Sequence, residues 1–172
     1  MQNTILLTSF TTWKPHHTSN ASDDLLAHIS AEAAESVHFL RGLPVDFESA
    51  PRQVMASFEG LKPDILVCCG MAEERHKLSI ESRAVVEGVT TMTEIDLPHL
   101  TRDLPMTQIS HDAGSFVCNT LYFAMLNHLK TQPRQHHCLF AHVPVLGEHN
   151  SVGIEQDFLT ILQRLGSAEL AV

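Results

Sequence analysis

The residue with the most reactive chemistry to offer is Cys118, in the run from Ser110 to Asn119 that leads into an apolar stretch ending at Leu129. Phe116, Val117, Thr120, Phe123, Ala124 and Leu129 recur at spacings of three and four, which predicts a helix starting near Gly114 or Ser115. Cys118 then falls in the first helical turn. Unpaired backbone N–H groups and the positive end of the helix dipole favour an anion there, so the thiol pKa is expected to fall and the thiolate fraction to rise. A nucleophilic cysteine would be placed in such a position. The alternative is a small buried apolar side chain, which is the commoner fate of an isolated cysteine.

Other elements must bring a partner to that sulfur. The predicted helix over 115–130 is followed by polar residues 131–136 and a strand-like run, His137 to His142, closed by Val143 and Pro144. A helix of that length advances about 24 Å, at about 1.5 Å per residue. The strand returns about 17 Å, at about 3.3 Å per residue, and so carries His142 back towards Cys118. Glu81 lies among apolar neighbours in the strand-like run 78–86. It reads either as a solvated strand residue or as a carboxylate aimed into a pocket beside a cation.

The remaining elements supply the frame. Thr4 to Ser9 reads as the first strand, followed by a loop from Phe10 to Asn20 that holds Trp13, His16 and His17. That loop either lines a pocket at the strand's end or lies on the surface with one ring in the core. A helix begins near Ser22, a strand is expected over 43–47 and a helix over 51–61. Residues 64–70 are nearly all apolar up to Gly70, as in a strand covered on both faces, which places them at the centre of a sheet. Cys68 and Cys69 point to opposite faces of such a strand and cannot share a metal ion. Residues 87–105 read as loop, 106–109 as a short strand and 154–165 as a final helix. Alternating strands and helices indicate a three-layer α/β/α architecture with sites beyond the strand carboxyl ends. Gly70, His142 and the loop after Ser9 all follow predicted strand ends.

The chain has 172 residues, 44% of them apolar, which suits a single domain over 1–172. A formal charge of −9 without a basic run argues against nucleic acid and anionic membranes as partners. The first residues lack a charged leader or a sustained apolar run, so a cytoplasmic protein with reduced cysteines is expected. The twelve histidines include no helical pair spaced as in H-E-x-x-H, and no metal or other cofactor is expected.

Ala113 to Asn119 and Phe140 to Pro144 resemble the nucleophile and base motifs of the pyroglutamyl peptidase I (pyrrolidone-carboxylate peptidase) family. Lys62 to Gly70, then Ile80 and Glu81, are similar to the stretch that leads to that family's catalytic glutamate, and Thr8, Ser9 and Phe10 stand where the family has Thr-Gly-Phe. The resemblance spans nearly the whole chain in the same order. It implies a phosphorylase/hydrolase-like α/β/α sandwich with a mixed sheet, Cys118 as nucleophile, His142 as general base and Glu81 as the group that orients the histidine. The implied reaction removes an N-terminal pyroglutamyl residue from a small peptide with a blocked N-terminus, and a homo-oligomer is a possible assembly. Phe10, Trp13 and Met71 are the expected substrate-binding residues, Met71 standing where the family has glutamine. That departure, and Ser9 for a glycine, bear on which acyl group is accepted. A non-catalytic binding relative with the same fold is the alternative.

Overall fold

The computed structural model describes residues 2–167. In chain order the elements are β1 (Ile5–Phe10), α1 (Ala21–Ile29), β2 (Val37–Leu43), α2 (Ser49–Leu61), β3 (Ile65–Met71), β4 (Leu78–Glu81) and β5 (Arg83–Val86). Then follow β6 (Val89–Met92), α3 (Leu97–Leu100), β7 (Thr107–Ser110), α4 (Val117–Lys130), β8 (His137–Val143) and α5 (Ser151–Gly166). Six strands form one sheet in the order β2-β1-β3-β8-β4-β7, and β5 pairs with β6 in a separate hairpin. β1, β2, β3 and β8 run parallel, whereas β4 pairs antiparallel with β8 and parallel with β7, so the sheet is mixed.

β3 sits inside the sheet, with Ile65 to Gly70 all buried, as a continuous apolar run requires. One face carries Ile65, Val67 and Cys69 against α1 and α5, through Leu25, Leu26, Phe158 and Ile161. The other carries Leu66 and Cys68 against α2 and α4, through Val54, Phe58, Leu121 and Met125. Helices on both sides of the sheet make the three layers, and Cys68 and Cys69 lie in different layers of core. No helix among the described residues is long and apolar enough to cross a membrane.

Four expectations need correction. The second strand is Val37–Leu43, and residues 44–47 form the turn into α2, where Asp46 accepts the N–H groups of Glu48 and Ser49. β2 is an edge strand with few buried positions, so its sequence carries no clear alternation. The run 78–86 breaks at Ser82, where the chain leaves the main sheet and enters the hairpin. Residues 87–105 hold β6 and α3: Glu87 and Gly88, at φ 50° and 78°, make the two-residue turn between β5 and β6. Glutamate is an uncommon residue for that conformation, which hides the turn in the sequence. Finally, α4 begins at Val117 with Phe116 as its N-cap, and its inward face is Val117, Leu121, Tyr122, Met125, Leu126 and Leu129. Phe116 is exposed and Phe123 packs only at the margin of that face, because a pattern counted from the N-cap is out of phase with the helix that follows it.

Candidate active site

The sheet brings the predicted residues together through register. Gly70 of β3 lies opposite His142 of β8, and on the other side of β8 Ser79 of β4 lies opposite His142 and Glu81 opposite Phe140. His142 and Glu81 are thus diagonal neighbours on one face, within reach of each other's side chains. His142 Nδ1 is 2.7 Å from Glu81 Oε1. An ionised carboxylate only accepts, so Nδ1 carries the hydrogen and Nε2 is left as an acceptor. Glu81 is fully buried and His142 nearly so.

Arg75, in the loop between β3 and β4, approaches the same Oε1 at 3.1 Å and donates to the Asp112 carbonyl at 2.7 Å. The Tyr122 hydroxyl of α4 donates to the Glu81 carbonyl at 2.9 Å and fixes the end of β4 against the helix. Glu81 is therefore held from its backbone and from its side chain.

Cys118 enters from above. Its sulfur rests over Gly70 so closely that a Cβ built on that glycine would lie 2.5 Å from Sγ and 3.0 Å from the Phe140 ring. Only the missing side chain at position 70 lets the start of α4 approach the sheet. Cys118 and His142 both line a cavity of about 260 Å³, whose other walls include Phe10, Trp13, Met71, Arg75 and Phe116. Phe10 is almost wholly covered, Trp13 is half-buried with its ring 6.2 Å from that of Phe116, and the Met71 sulfur accepts the Ala21 N–H at 3.3 Å. All three expected substrate-binding residues border this one cavity.

One electrostatic expectation fails. Burial pushes the Cys118 thiol up to about 12, helped by the neighbouring Cys68 and by Glu81; the residue's own backbone N–H pulls the other way and loses. The helix terminus does favour an anion, but desolvation between sheet and helix outweighs it. The N–H of Thr11, after Phe10, donates to the Leu43 carbonyl at 2.9 Å and is not free to face the cavity. The first N–H groups of α4 remain, since the N-cap Phe116 offers no side-chain acceptor.

Arg75, Tyr122 and Gly70 were not picked out from the sequence as site residues. Arg75 had a usable signal: with Lys77 it is one of two cations between the carboxyl end of the central strand and Glu81. Arg83, also close to Glu81 in sequence, instead donates to the His111 carbonyl from an exposed position.

The family model for pyroglutamyl peptidase matches residues 89–158. The chain is 24% identical over 159 residues to the pyrrolidone-carboxylate peptidase of Brevibacillus brevis, an alignment that covers 77% of this chain and 74% of that one. It is 29% identical over 133 residues to that of Brachyspira hyodysenteriae, which covers 62% and 66%. Among solved structures, pyroglutamyl peptidase I from Bacillus amyloliquefaciens superposes with a TM-score of 0.82 at 18% identity, over 95% of this chain and 94% of that one. The chain is similar in sequence and in fold to the pyroglutamyl peptidases. The pyrrolidone carboxyl peptidase of Fervidobacterium islandicum has the same fold, with a TM-score of 0.81 at 20% identity over 94% and 97% of the two chains. In this fold Cys118 and His142 border one cavity, and Glu81 stands behind His142. Ser9 fills the place of a small residue by donating to Asp23 at 2.6 Å, and Asp23 is gripped in turn by Arg41.

Proposed function

We propose that this protein is a thiol hydrolase that removes an N-terminal pyroglutamyl or similar small acyl group from peptides, with Cys118 as nucleophile, His142 as general base and Glu81 as the residue that orients His142. The observation that carries this reading is the buried 2.7 Å contact between His142 and Glu81, directed so that the free imidazole nitrogen serves the cavity that Cys118 also lines.

With burial raising the thiol, a free thiolate is scarce at neutral pH. The proton therefore passes from Sγ to His142 Nε2 as sulfur attacks the acyl carbonyl, rather than beforehand. Glu81 stabilises the imidazolium that forms. The N–H groups at the start of α4 face the developing oxyanion, the imidazolium returns its proton to the leaving amine, and water then releases the acyl group by the same route. Phe10, Trp13 and Met71 enclose a small ring or short acyl chain. With methionine at position 71, no side-chain amide from that position addresses a lactam.

Release of naphthylamine from pyroglutamyl-naphthylamide, with Cys118→Ser as control, tests the reading. Hydrolysis that depends on Cys118 supports it. No hydrolysis of this or of a panel of small-acyl naphthylamides would favour a non-catalytic relative.

A further inference from the structure

Beside the cavity, the loop after β1 and the loop after β3 meet at three side chains that play no part in the proposed reaction. Glu73 Oε1 lies 2.9 Å from His17 Nε2 and 3.5 Å from His16 Nε2, and the three atoms all lie within 4.8 Å of one another. Ligands at about 2.0–2.1 Å from a tetrahedral zinc ion sit about 3.3–3.4 Å apart, so the two edges that meet at Glu73 are close to those of such a tetrahedron. His17 is well placed to be a fixed ligand. Its side chain is only 5% exposed, and its ring is braced edge-on by Trp13 at 4.5 Å and by His16 at 4.6 Å. Its Nδ1 is buried with no hydrogen-bond partner among the described residues, so Glu73 is the ring's one polar anchor there.

We propose that His16, His17 and Glu73 form a site for a late first-row divalent cation of the zinc class, completed by water. The ion ties the loop that carries Trp13 to the loop that follows Met71, and so fixes one wall of the cavity. It is structural and takes no part in the thiol chemistry. Two imidazoles and one carboxylate suit such an ion better than magnesium or calcium, which prefer all-oxygen shells. Lys14 bonds the other carboxylate oxygen of Glu73, so its ammonium opposes the incoming ion and lowers the affinity of the site.

Trp13 is the only tryptophan in the chain, and its contact with His17 makes it a reporter. Untagged protein carrying Cys118→Ser, which removes the cavity thiol as a competing ligand, is titrated with Co²⁺ and the tryptophan emission recorded. The expected result is quenching that saturates at one equivalent and is reversed by excess Zn²⁺, which does not quench, or by a chelator. His16 is 68% exposed, so His16→Ala leaves the fold intact; it should weaken Co²⁺ binding by at least about tenfold, the loss typical of disturbing even an outer-shell partner. Glu73→Gln should do the same, and Lys14→Gln should tighten binding. Absence of saturable quenching, or equal affinities in the parent, His16→Ala and Glu73→Gln proteins, would overturn the proposal. An affinity unchanged or lowered by Lys14→Gln would remove Glu73 from the ligand set.

Discussion

Besides the loop pair His17 and Glu73, three histidines on helices and strands hold a glutamate at nearly the same distance. His142 and Glu81 are 2.7 Å apart, His28 and Glu155 2.7 Å, and His128 and Glu59 2.8 Å. The first pair lies between strands under the cavity, whereas the others bridge neighbouring helices on the outside, α1 to α5 and α4 to α2. Bond length does not separate them; surroundings do. The Glu81 side chain is fully covered, while those of Glu155 and Glu59 are 27% and 46% exposed. In water an ion pair of this type contributes about 0–1 kcal/mol. Away from water the same contact fixes the tautomer of a ring that borders the cavity Cys118 also lines.

The sharpest contrast is in activity. If the buried pair serves Cys118, then Cys118→Ser and His142→Ala each lower kcat/KM for a pyroglutamyl-naphthylamide by about 10⁴-fold or more. His28→Ala and His128→Ala leave it within twofold. Equal losses from buried and exposed histidines would break the comparison. Glu81→Gln keeps the shape but removes the charge that holds Nδ1–H, so a loss of about 10³ in kcat with little change in KM is expected, by analogy with other triad carboxylates. Circular dichroism checks that the variant folds, since Arg75 loses its ionised partner.

Gly70→Ala comes next. The added methyl meets Cys118 Sγ at 2.5 Å, so the sulfur must move, and a displacement of about 1 Å costs about 10²-fold in rate. Thermal unfolding should shift by much less than the activity does, because Sγ lies at the cavity and has room to turn away. An alanine variant of full activity would show that the sulfur's seat over Gly70 is not required.

The contrast also explains what could be read without coordinates. The central strand, the α4 helix, the β8 strand and the placing of Cys118 and His142 on one cavity follow from apolar runs and from lengths of helix and strand, quantities that survive in a single sequence. β2 and β6 were not legible because each lies at the margin of its sheet and carries little inward alternation. The sign of the Cys118 shift was not legible either. The helix terminus is visible in the sequence, but the Gly70 seat that presses the thiol against β3 arises only when two elements distant in the chain pack together. Arg75 shows the same limit, since its role depends on how the loop after β3 folds back to Glu81.

That shift gives a prediction about pH. A thiol raised to about 12 is almost wholly protonated at neutrality, and its thiolate fraction grows tenfold per pH unit until that value. Alkylation of Cys118 by iodoacetamide, followed by peptide mass analysis, should therefore climb about tenfold per unit between pH 7 and pH 10 in the free protein. A rate that is flat across neutral pH and falls in His142→Ala would instead show a preformed thiolate–imidazolium pair. Linkage has the matching sign. The raised thiol favours the folded state below its unfolded pKa of about 8.5, and that contribution is lost as pH rises towards the folded value.

The smallest effect belongs to the outer pairs, and it tests whether burial really is the difference. His28 is 52% exposed on its side chain and meets Glu155 across the α1–α5 contact. That contact is already held by Leu25, Leu26, Phe158 and Ile161, all of them buried. Removing the imidazole with His28→Ala leaves Glu155 with water as a partner, so no uncompensated charge remains. The loss in unfolding free energy should stay within about 0.5 kcal/mol, the range of surface substitutions that leave no buried group unpaired. It should shrink further in high salt, because solvent screens this pair. Urea denaturation at low and high ionic strength reads both quantities. A loss above about 2 kcal/mol would mean that the outer pair is shielded from solvent in the folded protein, and the separation between the two kinds of histidine–glutamate contact would then rest on the position of Cys118 alone.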